Sequence, residues 1–185
     1  MACSKVLANA RHCAVCHRPI NTFGCQECFQ SLGLDGIKIL GFYKDWGAYI
    51  LAGKDGRMPP IAWWNFLPQE FRSSELGIVF VPSSRNKHWM EQGLPEALYS
   101  RTLPALERNP GKLSQKLLNL KEREKNGVNL FRIRDDCGKK FSRILLVDDV
   151  LSTGTSIRTC VKLLRSLGYE KIFCFIIAFQ GRDKE

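Results

Sequence analysis

The sequence predicts an α/β domain, a parallel sheet flanked by helices, with a small zinc-binding knuckle at its N-terminal end. Three observations lead there. Ile144-Leu145-Leu146-Val147 is an unbroken apolar run, which suits a central parallel strand buried on both faces. A helical pattern (Ile157, Val161, Leu164, Leu167) and a further apolar run, Lys171 to Phe179, follow it in strand–helix–strand order. Two Cys-x-x-Cys pairs, Cys13-Ala-Val-Cys16 and Cys25-Gln-Glu-Cys28, stand ahead of all this.

A chain of 185 residues holds one such domain with a real core plus a small appendage. Its 44% hydrophobic and 25% charged residues are ordinary globular values. No run of about 20 apolar residues is present, so no membrane span is expected. Met1 to Arg11 lacks the apolar stretch of a secretory signal, and a cytoplasmic location is the expectation. The net charge of +10 is unevenly placed. Between Arg101 and Arg143 lie twelve Lys and Arg against five Asp and Glu. Such a segment suits a polyanionic substrate or a nucleic-acid backbone, or else a solvated helix face.

Taken in order, the first unit is a knuckle over residues 1–35. Each Cys-x-x-Cys pair can place two thiolates on one metal, and Cys13, Cys16, Cys25 and Cys28 together complete a tetrahedral zinc site. A cytoplasmic chain keeps such cysteines reduced, which disfavours disulfides. A thioredoxin-like redox motif needs only one pair, opening a helix in a βαβ unit. A knuckle this small has no core of its own and depends on the metal. Phe29 and Leu32 are expected to pack it against the next unit, with Gly33 to Gly36 as the linker.

The second unit covers residues 36–185. Ile37 to Tyr43 reads as a strand and Trp46 to Leu51 as a short helix closed by Gly53-Lys-Asp-Gly56. Met58 to Phe71 is rich in aromatic residues and proline. Trp63, Trp64 and Phe66 suit a packed face, or less well a platform for single-stranded bases. Gly77 to Val81 is a second strand, halted at Pro82 and followed by Ser83-Ser84-Arg85. Leu94 to Leu106 reads as a helix, Leu113 to Lys125 as a basic helix and Val128 to Ile133 as extended. Gly168 caps the helix that follows the Ile144 strand, and Cys160 and Cys174 read as core residues.

The chemistry concentrates where the Ile144 strand ends. Asp148 and Asp149 close it, and Ser152, Thr153, Gly154, Thr155 and Ser156 lead into the next helix. The free N–H groups and positive dipole of a helix start favour an anion there, and the hydroxyls add donors. A plain capped βα turn needs neither paired acids nor so many hydroxyls.

This stretch resembles the phosphoribosyl-pyrophosphate (PRPP) signature of type I phosphoribosyltransferases. The resemblance implies that Asp148 and Asp149 meet the ribose hydroxyls and stabilise positive charge at C1′ as pyrophosphate leaves. It implies that Ser152 to Ser156 hold the 5′-phosphate, that Ser83, Ser84 and Arg85 face the pyrophosphate, and that Mg²⁺ accompanies PRPP. A four-cysteine knuckle before such a domain resembles the ComF family, linked to DNA uptake in natural competence. Val81-Pro82, Lys54 near Gly56, and Arg108, Gln115, Glu122-Arg123, Asn126 and Phe131 fall in register with that family. Gln92-Gly93-Leu94-Pro95-Glu96 departs from it, standing where the family has Arg-Gly-Phe-Asn-Gln. The resemblance implies a PRPP-binding protein that handles single-stranded DNA, with competence helicase or membrane-channel partners. Arg108, Lys112, Gln115, Lys116, Lys121, Arg123 and Asn126 then form a lid or a nucleic-acid surface. The alternative is an active transferase moving ribose 5-phosphate from PRPP to an acceptor that no sequence element specifies.

Overall fold

The computed structural model describes residues 26–83, 89–109, 130–137 and 141–180. Cys13, Cys16, Cys25, Ser84, Arg85, Lys112, Gln115, Lys116, Lys121, Arg123 and Asn126 lie outside the described residues, as does the side chain of Cys28.

Helix α1 (Gln26–Leu32) leads into strand β1 (Gly36–Phe42) and helix α2 (Tyr43–Lys54). Two 3₁₀ turns, Trp63–Phe66 and Gln69–Phe71, precede β2 (Leu76–Phe80). A short helix α3 (Trp89–Gln92) and a 3₁₀ segment, Glu96–Arg101, precede β3 (Leu106–Arg108), which pairs antiparallel with β4 (Phe131–Ile133). The chain then forms β5 (Arg143–Leu151), α4 (Thr155–Ser166) and β6 (Lys171–Phe179).

The four long strands make one parallel sheet in the order β1-β6-β5-β2. The apolar run Ile144 to Val147 is therefore interior in the sheet and fully buried, as its lack of alternation predicts. Its side chains still alternate between two cores. Ile144 and Leu146 join Ile157, Cys160, Leu164 and Cys174, whereas Leu145 and Val147 join Ile50, Trp63, Trp89 and Phe175. Both thiols expected in the core are there.

Trp63 is completely buried, its ring 5.3 Å from that of Phe175, and its Nε1–H donates to the Met90 carbonyl at 2.7 Å. The aromatic segment is thus a packed wall around Trp63, and its indole has found the partner a buried Trp requires. The open edge of β2 is covered from Thr102 and Leu103, and the Arg101 guanidinium donates to the Leu76 carbonyl at 2.7 and 2.9 Å.

Three expectations change. Leu94 to Leu106 is not one helix: Pro95 and Pro104 bound a 3₁₀ segment, and the chain then extends into β3. The helix after β1 runs from Tyr43 to Lys54, longer than the predicted core of it, which puts Lys54 on its last turn. Strand β5 does not stop at the acids but continues to Leu151, because Val150 and Leu151 still pair with Ala178 and Phe179 of β6.

Residues 33–36 form a docked connection. Gly33 takes a φ of +75° after α1, Leu32 and Leu34 are buried, and Asp35 accepts from Arg165 at 2.6 Å, Lys171 at 3.3 Å and the Ile172 N–H at 2.8 Å. Burial pushes the Asp35 carboxyl up, but these bonds outweigh it and hold it below its ordinary 3.8. Among the described residues no helix is long and apolar enough to cross a membrane.

Candidate functional site

The C-terminal ends of β2 and β5 open onto a cavity of about 160 Å³. In an open parallel sheet this is where a ligand crevice forms. Asp148, Asp149 and Ser156 line one side, Val81 to Ser83 another, and Lys54 and Arg108 close over it from α2 and β3. A second cavity, of about 460 Å³, shares the Phe80, Pro82, Ser83 and Arg108 wall and reaches toward Leu103 and Glu107.

Strand alternation sends the two adjacent carboxylates to different surroundings. Asp149 meets the α2 side: Lys54 Nζ lies 2.5 Å from its Oδ2, and the Trp89 Nε1–H donates to the same oxygen at 3.3 Å. Both partners are held in place. Trp89 is buried and packs edge-on against Tyr49, while Gly53 leaves room for the indole, since a Cβ there would stand 2.8 Å from the ring. Lys54 is the next residue, so the contact that seats Trp89 also positions the ammonium.

Asp148 meets the α4 side. Its Oδ1 accepts the Asp149 N–H at 2.9 Å, and its charge is felt by the buried thiols of Cys160 and Cys174, which burial already pushes well above the ordinary range. Burial pushes the Asp148 carboxyl well above 3.8, and the Asp149 charge pushes the same way. The Asp149 N–H and Lys54 pull it back only in part. A carboxyl group whose proton affinity is raised within a cleft is a feature of chemical sites.

The turn after β5 takes the shape its small residues predict. Gly154 has a φ of +74° and is the N-cap of α4. Only glycine fits it well: a Cβ would also come within 2.7 Å of Leu32. The Thr153 and Thr155 hydroxyls bond each other at 3.0 Å, Ser152 is exposed, and Ser156 is the hydroxyl that reaches the cavity of the acids. Of the predicted set, Asp148, Asp149, Ser156, Ser83 and Arg108 are thus brought together around one space. Thr153 and Thr155 brace the turn beside it.

Arg108 stands at the end of β3 with its guanidinium 5.7 Å from the Phe131 ring centre, and burial pushes its pKa down. Trp89 was not foreseen as a site residue. Lys54 was noted only for a family likeness beside Gly56; no local pattern places residues 54, 89 and 149 together.

Among the described residues no three His, Cys, Asp or Glu side chains cluster as a metal cage. Two carboxylates with serine hydroxyls nearby are hard oxygen donors, too few to cage a cation alone. They fit Mg²⁺ that arrives on phosphates and keeps part of its water shell.

A family model described as the phosphoribosyl transferase domain matches residues 107–185. The chain is 36% identical over 96 residues to the adenine phosphoribosyltransferase of Mycoplasmopsis agalactiae, covering 52% of this chain and 55% of that one. It is 30% identical over 128 residues to the adenine phosphoribosyltransferase of Shewanella loihica, covering 69% of this chain and 54% of that one. The protein of the same name from Dichelobacter nodosus is 35% identical over 81 residues, covering 42% and 47%. The chain spans about half the length of the curated relatives it matches. The match takes in β5, both acids and the Gly154 turn, while Lys54, Trp89 and the Val81–Ser83 wall come from outside it. The parallel sheet, the acid pair at a strand end and the left-handed glycine opening the next helix agree with the phosphoribosyl transferase domain matched over residues 107–185.

Proposed function

We propose that this cavity binds PRPP and transfers its ribose 5-phosphate to an acceptor base, as a salvage-type phosphoribosyltransferase. The observation that carries the reading is Asp149, an aimed carboxylate held by Lys54 and Trp89 in a cavity shared with Ser156 and the strand-end wall Val81 to Ser83. In the proposed reaction the bond from C1′ to the pyrophosphate oxygen breaks, and a ring nitrogen of the acceptor bonds C1′. The acceptor's proton leaves to solvent. Asp149 orients the ribose hydroxyls and faces the positive charge that develops at C1′, an electrostatic role strengthened in a site closed to water. Asp148 stands by as a hydrogen-bond donor or acceptor to the same sugar. The turn from Ser152 to Ser156 receives the 5′-phosphate on the first N–H groups of α4. Ser83, with Ser84 and Arg85 after it, meets the pyrophosphate. Asp148 and Asp149 are the residues that would hold Mg²⁺ arriving with PRPP, and the ion would supply charge neutralisation of the leaving group.

Calorimetry with PRPP and Mg²⁺, followed by a pyrophosphate-release assay with adenine as first acceptor, tests this. Binding at micromolar PRPP, with binding weakened and pyrophosphate release cut about 10²- to 10³-fold in Asp149→Asn, is the expected outcome. A wild-type protein that binds no PRPP overturns the reading.

A second reading rests on a different observation, the charge excess between Arg101 and Arg143. In it the protein is ComF-like and handles single-stranded DNA in the cytoplasm, with competence helicase or membrane-channel partners. Arg108, Lys112, Gln115, Lys116, Lys121, Arg123 and Asn126 make the contact. Residues 1–35 form the knuckle, with Zn²⁺ on Cys13, Cys16, Cys25 and Cys28. Binding of an oligo(dT) that weakens steeply with salt supports it, and salt-independent or absent binding removes it. Cys16→Ser is expected to lose zinc from the purified protein; unchanged zinc content removes the knuckle.

A further inference from the structure

Lys54 does something that the acid pair and the phosphate cradle do not account for. A carboxylate at the end of a buried strand is costly unless a cation matches it. Here the cation is part of the chain: Lys54 Nζ is 2.5 Å from Asp149 Oδ2, with only 27% and 14% of the two side chains exposed. The pair sits where a ribose-bound cation would have to approach, since Asp149, Ser156 and Ser83 face the same cavity. Its backbone anchor is firm, because Lys54 ends α2 one residue after Gly53, on which the buried Trp89 is seated. Its stem is flexible, with four methylenes and a strongly hydrated head. An ammonium leaving Asp149 has the Val81–Ser83 wall of that cavity to turn to.

We infer that Lys54 is the resident counter-ion of Asp149, displaced by the Mg²⁺ that enters with PRPP, and that its freed ammonium then pairs with pyrophosphate oxygens. The inference rests on the PRPP reading of the cavity. It assigns to a residue outside the matched domain a share in substrate binding.

The two halves of the exchange have opposite signs, which a structural role for Lys54 cannot imitate. Lys54→Met removes the competing cation, so Mg²⁺ alone binds about 3-fold or more tighter than to wild type. The same variant loses the ammonium from the pyrophosphate, so PRPP with Mg²⁺ binds about 10-fold weaker. Lys54→Arg keeps the charge and stays close to wild type for Mg²⁺ alone. Calorimetry with MgCl₂ and with PRPP–Mg²⁺ reads both, and tryptophan emission gives a second signal because Trp89 donates to the exchanged carboxylate oxygen. Unchanged Mg²⁺ affinity in Lys54→Met overturns the inference. So does a parallel loss of both affinities with lowered thermal stability, in Lys54→Met and Lys54→Arg alike. If wild type binds no PRPP while Lys54→Met still gains Mg²⁺ affinity, the PRPP reading fails and the counter-ion role of Lys54 survives it.

Discussion

Asp148 and Asp149 are neighbours in sequence and opposites in environment. On the α2 side, Asp149 is matched by a cation at 2.5 Å and an indole N–H at 3.3 Å. On the α4 side, Asp148 has buried thiols nearby and one backbone N–H, and burial pushes its carboxyl toward the neutral form. A counter-charge meets one carboxylate and burial raises the proton affinity of the other, so one strand end holds two electrostatic environments. The difference follows from strand geometry: a period of two sends consecutive side chains to opposite faces of the sheet.

The sharpest way to break the contrast is to remove charge from the matched side. Asp149→Asn leaves Lys54 without its partner and takes the negative charge away from C1′. A loss of about 10²- to 10³-fold in PRPP turnover is expected, with the fold intact by circular dichroism. Turnover within a few-fold of wild type would assign the electrostatic role to Asp148 instead.

Next in size are two tests of the scaffold on either side. Trp63 is the largest wholly buried side chain on the α2 side, and its indole bonds the Met90 carbonyl beside Trp89. Trp63→Ala is expected to cost about 3–5 kcal/mol, enough to unfold a marginal domain, and urea denaturation measures it. Gly154→Ala acts on the α4 side, where the added Cβ meets Leu32 at a φ of +74°. A cost of about 1–3 kcal/mol is expected, with weaker PRPP binding because the turn must shift. A variant as stable as wild type would mean that α1 yields at that contact.

What could be read beforehand follows the same division. Strand β5, the acids, the Gly154 turn and α4 are contiguous, and contiguous patterns report local structure: four apolar residues, two acids, small residues, then a 3.6 period. The burial of Cys160, Cys174 and the Trp63 segment was legible for the same reason. The partners of Asp149 were not. Lys54 and Trp89 reach it only because α2 folds back over the sheet and α3 returns beside β5, and nothing periodic at residue 89 announces that. The predicted helix from Leu94 to Leu106 failed because its apolar spacing outweighed Pro95 and Pro104, which in the fold bound the segment that covers the β2 edge. The predicted end of β5 at its acids failed because pairing with β6 holds the strand straight past two residues that solvent would otherwise claim.

The smallest expected effect tests the α4 side and has a definite sign with pH. Burial and the Asp149 charge raise the folded-state pKa of Asp148 above that of the unfolded chain, so the folded protein holds the proton more tightly. Stability therefore falls as pH rises from the ordinary carboxylate range through the raised folded value, and the cost is present in full above it. Asp148→Asn keeps the size and an acceptor oxygen for the Asp149 N–H but has nothing to ionise. It is expected to melt slightly higher than wild type at pH 8, and the advantage is expected to shrink as pH is lowered toward 4 and to vanish below that. Thermal unfolding across that range measures it. An advantage constant with pH would mean that Asp148 ionises as freely as an exposed carboxylate.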